Sequence, residues 1–342
     1  MLLYVTWDQI GSQTGGGQVT FNELEALKEI GETHVINPSM TTNPFDADKA
    51  ALDQYLIEGK KYKLAHFYSS SYPSLVKQLK ADGTKISYTV AAHNVQVSQR
   101  EHAKLGLSFD HPHLTNPELW SRYLESYLLS DIVICPSYHS HDIMLNNRCK
   151  KIIVIPHGIS VYPSKIKDVN NFSVGYLGAI GPDKGLIYLL EAWSQLNYPD
   201  SLLTIAGKNS TDLLPLVRQF KGNIHLAGFI DDLDNFYNSI NLYVQPSATE
   251  GFGIEVLEAM SYGKAVVVTN STGAADCVES HEGMISASCC SLGLADKINY
   301  YKEHSSVLRL HGMNARVKAK NFTWDKIKYR YKKVWYELLA AV

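Results

Sequence analysis

Two carboxylates in the second half of the chain form the clearest chemical pattern. Glu250 and Glu258 enclose seven residues that begin Gly-Phe-Gly-Ile. The apolar run Ile240 to Val244 before them predicts a buried strand, and the residues after Gly253 recur at helical spacing. A strand, a glycine loop and a helix start offer backbone N–H groups to an anion, while carboxylates accept hydrogen bonds from hydroxyls. The segment therefore predicts a site for an anionic, polyhydroxylated ligand.

A second strand-to-helix loop offers a cation for such a ligand. Residues 178–185 read Gly-Ala-Ile-Gly-Pro-Asp-Lys-Gly and lead into a leucine-rich helix. Lys184 lies at the start of that helix, where a bound diphosphate needs positive charge. A surface lysine is the alternative interpretation, and the nearby pair of carboxylates favours phosphate binding.

Two features of the first half are less specific. The triplet Gly15-Gly16-Gly17 follows the first strand and precedes a helix expected to start near Gln18; it forms either a phosphate contact or a flexible loop. His93 ends an apolar strand, at the edge where ligands of open α/β sheets bind, or it is a structural histidine. Neither a dinucleotide fingerprint nor a Walker loop is present, and the Asp-x-Asp triplets are interpreted as chance spacings in loops.

Short apolar runs alternate with amphipathic segments along the whole chain. This alternation predicts an α/β protein with parallel, doubly wound sheets. The expected strands of the first half are Leu2–Thr6, His34–Ile36, Leu64–Phe67, Ile86–Ala91, Ile132–Cys135 and Ile152–Ile155. Those of the second half are Ser173–Leu177, Leu202–Ala206, Ile224–Leu226, Leu242–Val244 and Ala265–Thr269. The polar stretch Ser160 to Asn171 is interpreted as the linker between two domains.

The composition excludes several protein classes. The chain has 342 residues, 45% of them apolar and 19% charged, which suits two globular domains. A formal net charge of −2 argues against a nucleic-acid partner. Five cysteines without a Cys-x-x-Cys pair predict reduced thiols, and no secretory signal or membrane span is evident, so a cytoplasmic protein is expected.

The last segment is amphipathic and basic. Its aromatic and apolar residues recur every three or four positions from Trp324 to Leu338, and lysines occupy the other faces. A helix lying on an anionic membrane is one interpretation. A final helix packed on the body of the protein is favoured, because aromatic residues at this spacing usually belong to a core.

Taken together, the motifs resemble the retaining glycosyltransferases of family four, which have the GT-B fold. The resemblance covers nearly the whole chain and rests most specifically on the segment from Pro246 to Met260. It is supported by the other loops in the expected order: 15–17, 93, 154–160, 178–185, 206–207 and 227–232. It implies two Rossmann-like domains facing a central cleft: residues 1–160 on the acceptor side, with the helix 324–342 packing back on them, and residues 161–323 binding the donor.

The resemblance also implies roles for individual residues. Glu258 would bind the ribose of a nucleotide sugar and Glu250 the donor sugar, which the backbone N–H groups of Gly251, Phe252, Gly253 and Ile254 help to orient. Lys184, Gly16 and Gly17 would bind the diphosphate, and His93 would contact the sugar near the reacting carbon. The family usually has arginine where this chain has Ala179, and Lys208 is a candidate replacement.

The implied reaction transfers a hexose-type sugar, with retention and a front-face mechanism, from a UDP-sugar (or next a GDP-sugar) to a hydroxyl of a glycan or lipid-linked acceptor. No cofactor or metal is expected, and polysaccharide biosynthesis is the implied setting. Contact with the inner face of the membrane stays open. A nucleotide-sugar-binding protein with weak or lost transfer activity is the main alternative, because of Ala179. A nucleotide-sugar epimerase is another, and a nicotinamide oxidoreductase is disfavoured because no G-x-G-x-x-G follows a first strand.

Overall fold

A computed structural model represents the protein. It describes residues 1–11, 14–38, 44–69, 71–92, 94–109, 116–149, 151–160, 169, 171–208 and 213–341, without the side chains of Pro44 and Leu214. The chain divides into two compact units. Unit 1 comprises Met1–Ala92, Asp110–Gly158 and Trp324–Val342, and unit 2 comprises His93–Phe109 and Ile159–Thr323.

The helices begin and end at the following residues. In chain order they are α1 (Gly15–Lys28), α2 (Pro44–Glu58), α3 (Pro73–Ala81), α4 (Val95–Lys104), α5 (Pro117–Leu129), α6 (Tyr138–Asn146), α7 (Leu186–Leu196), α8 (Leu214–Val217), α9 (Leu233–Asn238), α10 (Ile254–Ser261), α11 (Ser291–Glu303), α12 (Ser305–Ala319) and α13 (Trp324–Ala340). Short 3-10 turns span Pro182–Lys184, Gly273–Cys277 and Lys320–Phe322. Several helix starts are fixed locally: the side chains of Thr14, Asn116 and Ser137 accept hydrogen bonds from first-turn N–H groups.

Unit 1 contains a parallel sheet. Its strands are β1 (Leu2–Thr6), β2 (Thr33–Ile36), β3 (Leu64–Tyr68), β4 (Lys85–Thr89), β5 (Ile132–Cys135) and β6 (Ile152–Val154). They lie in the order β2-β1-β3-β4-β5-β6. Every residue of β1 and β3 is buried, as expected for central strands covered by helices on both faces. The strand order reverses between β1 and β3, and such a switch point is where open α/β sheets bind ligands.

A buried polar network fastens the helices of unit 1 to this sheet. Glu23 of α1 accepts a hydrogen bond from the Tyr4 hydroxyl at 3.0 Å and lies 3.2 Å from His66 Nε2. His66 Nδ1 lies 2.8 Å from Ser87 Oγ, which also accepts a hydrogen bond from Trp335 Nε1 of α13 at 3.1 Å. Because these groups are buried, their mutual hydrogen bonds replace those to water.

The basic amphipathic segment is helix α13, and its apolar side faces the interior of unit 1. Trp324, Ile327, Tyr331 and Trp335 are buried. The aromatic and apolar residues of this segment thus lie on the side of the helix that packs within unit 1. Within the described ranges, no helix is both long and apolar enough to cross a bilayer.

Unit 2 contains the second parallel sheet. Its strands are β7 (Ser173–Leu177), β8 (Leu202–Ala206), β9 (Ile224–Gly228), β10 (Leu242–Gln245), β11 (Ala265–Thr269) and β12 (Gly283–Ser286). They lie in the order β12-β11-β10-β7-β8-β9, which reverses between β7 and β10. The second switch point therefore brings together the loop after β7 and the loop after β10. These are the two loops that hold Lys184 and Glu250.

The predicted α/β class and parallel sheets are confirmed, and the differences are local. Strand β12 was not predicted, because it is a four-residue edge strand that begins with glycine and is only partly buried. Helix α1 begins at Gly15 rather than near Gln18, since Thr14 caps it and takes the glycine triplet into the first turn. The segment 94–109, expected in the first domain, belongs to unit 2. Most of the expected linker, 160–171, lies outside the described residues.

Candidate functional site at the second switch point

The loop after β7 packs backbone against backbone on the loop after β10. Gly185 has φ +65°, and a Cβ atom there would lie 2.0 Å from the carbonyl oxygen of Pro246. The N–H groups of Ala248 and Thr249 donate to the carbonyl oxygen of Asp183 at 2.9 and 3.3 Å. Only glycine combines this left-handed conformation with so close an approach. Residue 185 is therefore glycine because the two loops meet there.

The loop after β8 lies on the other side of the β7 loop. The N–H group of Ile180 donates to the carbonyl oxygen of Lys208 at 3.0 Å, and a Cβ atom on Gly207 would lie 1.8 Å from the carbonyl oxygen of Gly178. The side chain of Lys208 is exposed. Lys208 is thus a neighbour of the loop that contains Ala179, and its role in diphosphate binding stays a prediction.

Lys184 forms an ion pair with Glu250 across the two loops. The lysine Nζ donates to a carboxylate oxygen of Glu250, and the two side chains are 25% and 16% exposed. Burial opposes the charged lysine, but the carboxylates of Glu250 and Asp183 outweigh it and raise the pKa of Lys184 above its ordinary value. The lysine therefore stays cationic at the edge of the sheet, with a carboxylate beside it.

The Glu-Gly-Phe-Gly segment is pinned to the loop after β11. The N–H of Glu250 donates to the carbonyl oxygen of Ser271 at 2.9 Å, and the N–H of Gly273 donates back to the carbonyl oxygen of Glu250 at 3.0 Å. Gly253 has φ +86° and directly precedes α10. Its left-handed conformation turns the chain from the loop into the helix, which sets the N-terminus of α10 beside Glu250.

Glu258 lies about one helical turn after the start of α10, on the buried side of that helix. Glu258 is 4% exposed, and one of its carboxylate oxygens accepts a hydrogen bond from the Tyr237 hydroxyl at 3.2 Å. The Tyr237 ring stacks on Tyr262 with 4.7 Å between the ring centroids. The carboxylate is therefore held in one orientation by a buried tyrosine pair.

Glu255 is a third carboxylate of this site that sequence reasoning missed. It lies in the first turn of α10, between the two predicted glutamates. Burial, with the nearby charges of Glu250 and Glu258, raises the pKa of Glu255 to about 7, and Lys184 opposes this shift. Its spacing of three residues from Glu258 could have indicated a shared helix face, but not the degree of burial.

The remaining predicted residues do not belong to these loops. Gly16 and Gly17 are in unit 1, in the first turn of α1, where the N–H of Gly17 donates to Thr14 Oγ1 at 3.0 Å. A Cβ atom on Gly16 would lie 3.5 Å from a carboxylate oxygen of Asp8, an ordinary contact. His93 lies outside the described residues, so its predicted role stays a prediction. The described ranges hold no group of three or more His, Cys, Asp or Glu side chains arranged for a metal ion.

Comparison with known proteins agrees with the resemblance seen in the motifs. Residues 163–318, most of unit 2, match the family model of Glycosyl transferases group 1. A capsular polysaccharide biosynthesis glycosyltransferase of Staphylococcus aureus, CapM, is 29% identical over 237 residues, which is 60% of this chain and 62% of CapM. A UDP-Gal:α-D-GlcNAc-diphosphoundecaprenol α-1,3-galactosyltransferase of Escherichia coli is 24% identical over 64% of this chain and 60% of that enzyme. The matches thus span less than two thirds of either relative.

A solved structure shows the fold. HepE of Anabaena, in complex with UDP and glucose, superposes with a TM-score of 0.77 at 17% identity, covering 98% of this chain and 100% of that chain. Together with the two parallel six-stranded sheets and their flanking helices, this similarity confirms the predicted GT-B fold.

Proposed function

Starting from a GT-B chain that is related to glycosyltransferases, we propose that this protein transfers a sugar from a nucleotide-diphosphate sugar to an acceptor hydroxyl. The observation that carries the proposal is the Lys184–Glu250 ion pair at the second switch point, with Glu258 held nearby on α10. This arrangement joins a cation for a diphosphate to carboxylates for sugar and ribose hydroxyls.

Donor binding would exchange the partner of Lys184. In the structure its charge is balanced by Glu250. A diphosphate brings greater negative charge and would draw the ammonium group toward its oxygens, which leaves the Glu250 carboxylate to accept hydrogen bonds from the donor sugar. The ion pair therefore keeps both groups charged and close to their working positions before the donor arrives.

The other donor contacts follow the predicted roles. Glu258, oriented by Tyr237, would accept hydrogen bonds from the ribose hydroxyls. Backbone N–H groups from Gly251 to Ile254 would orient the sugar, and the N-terminus of α10 would favour nearby negative charge. Gly16, Gly17 and His93 would complete the diphosphate and sugar contacts, and Lys208 would supply part of the charge that Ala179 lacks.

The reaction is proposed to retain configuration by front-face attack. The bond from the anomeric carbon to the diphosphate oxygen breaks, and the acceptor oxygen bonds to the same face of an oxocarbenium-like sugar. The leaving phosphate oxygen takes the acceptor's proton. Lys184 stabilises the charge that develops on the leaving group, so a hexose transfer without a metal ion is expected.

UDP is the favoured nucleotide and GDP the next. The favoured acceptor is a glycan or a lipid-linked saccharide. Support comes from the named relatives, one assigned to capsular polysaccharide biosynthesis and one to a diphosphoundecaprenol acceptor, and from the UDP and glucose bound to HepE. A cytoplasmic enzyme of polysaccharide biosynthesis, working at the inner face of the membrane, fits these substrates.

The test is a thermal-shift panel of UDP-, GDP-, ADP- and dTDP-sugars, with EDTA present. We expect stabilisation by UDP-sugars that is lost in Glu258→Ala, because binding to the folded state raises the melting temperature. The anomer first released during slow donor hydrolysis, read by NMR, then reports the stereochemistry. A well-folded protein that no nucleotide sugar stabilises would contradict the proposal.

A binding protein with weak or lost transfer activity is the second candidate. The observation that favours it is Ala179, which leaves Lys184 without the arginine usual in the family. Loss of one cation from a diphosphate site reduces transition-state stabilisation by a few kcal/mol, on the order of 2–4. Donor binding without turnover across many acceptors would support this candidate, and turnover of any acceptor would exclude it.

A further inference from the structure

Helix α4 belongs to unit 2 and packs against the 3-10 turn Pro182–Lys184. Leu105 and Leu107, just after the helix, pack against the apolar core of unit 2. The Leu105 side chain lines an apolar recess with Pro182 and Leu186. The turn that contains Lys184 is thus covered by a helix distant from it in sequence.

The start of α4 is joined to the segment that leads to Glu250. The main-chain N–H of Asn94 donates to Thr249 Oγ1 at 2.8 Å. Thr249 is buried, and its own N–H donates to the carbonyl oxygen of Asp183 at 3.3 Å. One threonine therefore connects α4, the Lys184 turn and Glu250, the residue that follows it.

The other end of α4 is fastened by a buried carboxylate. Glu101 is 2% exposed and accepts hydrogen bonds from the Tyr188 hydroxyl of α7 at 2.5 Å and from Lys104 Nζ and Arg100 Nε at 3.0 Å each. Burial alone would raise the pKa of Glu101, but the hydrogen bonds from Tyr188, Lys104 and Arg100 outweigh it and lower the pKa. Glu101 therefore stays ionised and fixes α4 to the helix that follows Lys184.

We propose that Glu101 is a positioning residue for the donor site, acting through the Asn94–Thr249 hydrogen bond on Lys184 and Glu250. The inference rests on the proposed function, since it concerns the same donor site. Glu101 contacts neither Lys184 nor Glu250 through any described hydrogen bond; it sets the place of α4, and α4 sets the place of the two loops. Small displacements of such groups are costly, because electrostatic contacts to a diphosphate depend on distance.

The experiment measures UDP affinity by calorimetry for the full chain, four single variants and one double variant. Glu101→Gln keeps the size of the side chain and removes its charge, and Thr249→Val removes the hydroxyl that accepts from Asn94. Thr249→Ser restores that hydroxyl. Glu303→Gln neutralises an exposed carboxylate at the end of α11 and is the matched control. The double variant Glu101→Gln with Thr249→Val tests whether the two residues act along one route.

We expect UDP affinity to fall about tenfold in Glu101→Gln and in Thr249→Val, to return in Thr249→Ser and to be unchanged in Glu303→Gln. The UDP affinity of the double variant should be about that of whichever single variant, Glu101→Gln or Thr249→Val, binds UDP less tightly. If Glu101 had a purely structural role, Glu101→Gln would lower the melting temperature, and its effect on UDP affinity would not depend on residue 249. Two results would overturn the inference while UDP binding by the wild type still supports the donor site. One is an unchanged UDP affinity in Glu101→Gln, and the other is a double variant whose loss of affinity equals the product of the two single losses. Failure of the wild type to bind any nucleotide would instead overturn the proposed function.

Discussion

The two sheets begin alike, yet their first loops are built differently. In both, the first strand leads through glycines into a helix. In unit 2, backbone atoms of a neighbouring loop occupy the space that a Cβ atom would need. The carbonyl oxygen of Pro246 lies there beside Gly185, and that of Gly178 lies there beside Gly207. In unit 1, the nearest neighbours of a Cβ atom on Gly16 would be the Asp8 carboxylate and the Tyr68 hydroxyl, at ordinary contact distances of 3.5 and 3.6 Å. Glycines in a loop therefore indicate closely packed loops only where the backbone of another segment occupies the space that a side chain would fill.

The largest expected effect is that of Gly185→Ala. Its left-handed conformation costs alanine about 1–2 kcal/mol. The larger cost comes from the Pro246 carbonyl oxygen, 2.0 Å from the new Cβ atom, which forces the two loops apart. We expect loss of measurable UDP binding and a lower melting temperature. Calorimetry and thermal denaturation check this; a variant that binds UDP like the wild type would show that the loops need not touch.

Lys184→Met should reduce turnover while the fold survives. It removes the cation that faces the diphosphate, and the loss of one such group reduces kcat by about 10²–10³. Stability should fall by only about 1 kcal/mol, because the ion pair with Glu250 is partly exposed. Steady-state kinetics with a UDP-sugar measures the loss of activity, and urea denaturation of the same variant measures the loss of stability. Equal losses of activity and stability would point to a structural lysine.

Glu255→Gln should remove a pH dependence of donor binding. The folded protein favours the protonated form of this group, whose pKa is raised to about 7 mainly by burial. Stability should therefore fall as pH rises from about 4.5, the ordinary value for glutamate, to about 7, and affinity for the diphosphate should fall as pH rises above about 7, where the ionised carboxylate adds repulsion. Other charged or titratable groups near it are Lys184, Glu250, Glu258, Tyr176, Tyr237 and Tyr243.

The measurement is UDP-sugar affinity from about pH 6 to about pH 8, a range in which the diphosphate diester itself does not titrate. The wild type should bind more weakly at the upper end, and Glu255→Gln should bind equally throughout. Parallel pH profiles for the two proteins would show that another group controls the affinity.

Gly16→Ala should have the smallest effect and sharpens the comparison directly. The new Cβ atom fits beside Asp8 and Tyr68, and alanine is a better helix former than glycine by up to about 1 kcal/mol. We expect an unchanged or slightly raised free energy of unfolding in urea. A drop as large as that of Gly185→Ala would mean that the first loop is as tightly built as the second.

Much of unit 2 could be predicted from the sequence because its signals are local. The Glu-x7-Glu segment, the loop that holds Lys184 and the strands next to them each lie within a short window. What could not be predicted depends on distant pairing. Tyr237 reaches Glu258 from another helix, and Tyr188 reaches Glu101 across 87 positions of sequence. The spacing of apolar residues along the sequence does not predict contacts of this kind.

The glycine triplet shows a different limit. Its residues predicted a loop because glycine disfavours helices, but the Thr14 cap and the helix packing of α1 outweigh that preference. Likewise, the raised pKa of Glu255 depends on burial, and the burial follows from the packing of α10 in unit 2. The first case combines a local cap with helix packing, and the second is a tertiary effect of burial.

The central claim is that the second switch point binds the nucleotide sugar through Glu258 and Lys184. Its most direct test is a calorimetric titration of wild type, Glu258→Ala and Lys184→Met with UDP in the presence of EDTA. The account predicts one site in the wild type and at least about tenfold weaker binding in each variant. Equal binding by all three proteins, or none by a folded wild type, would contradict it.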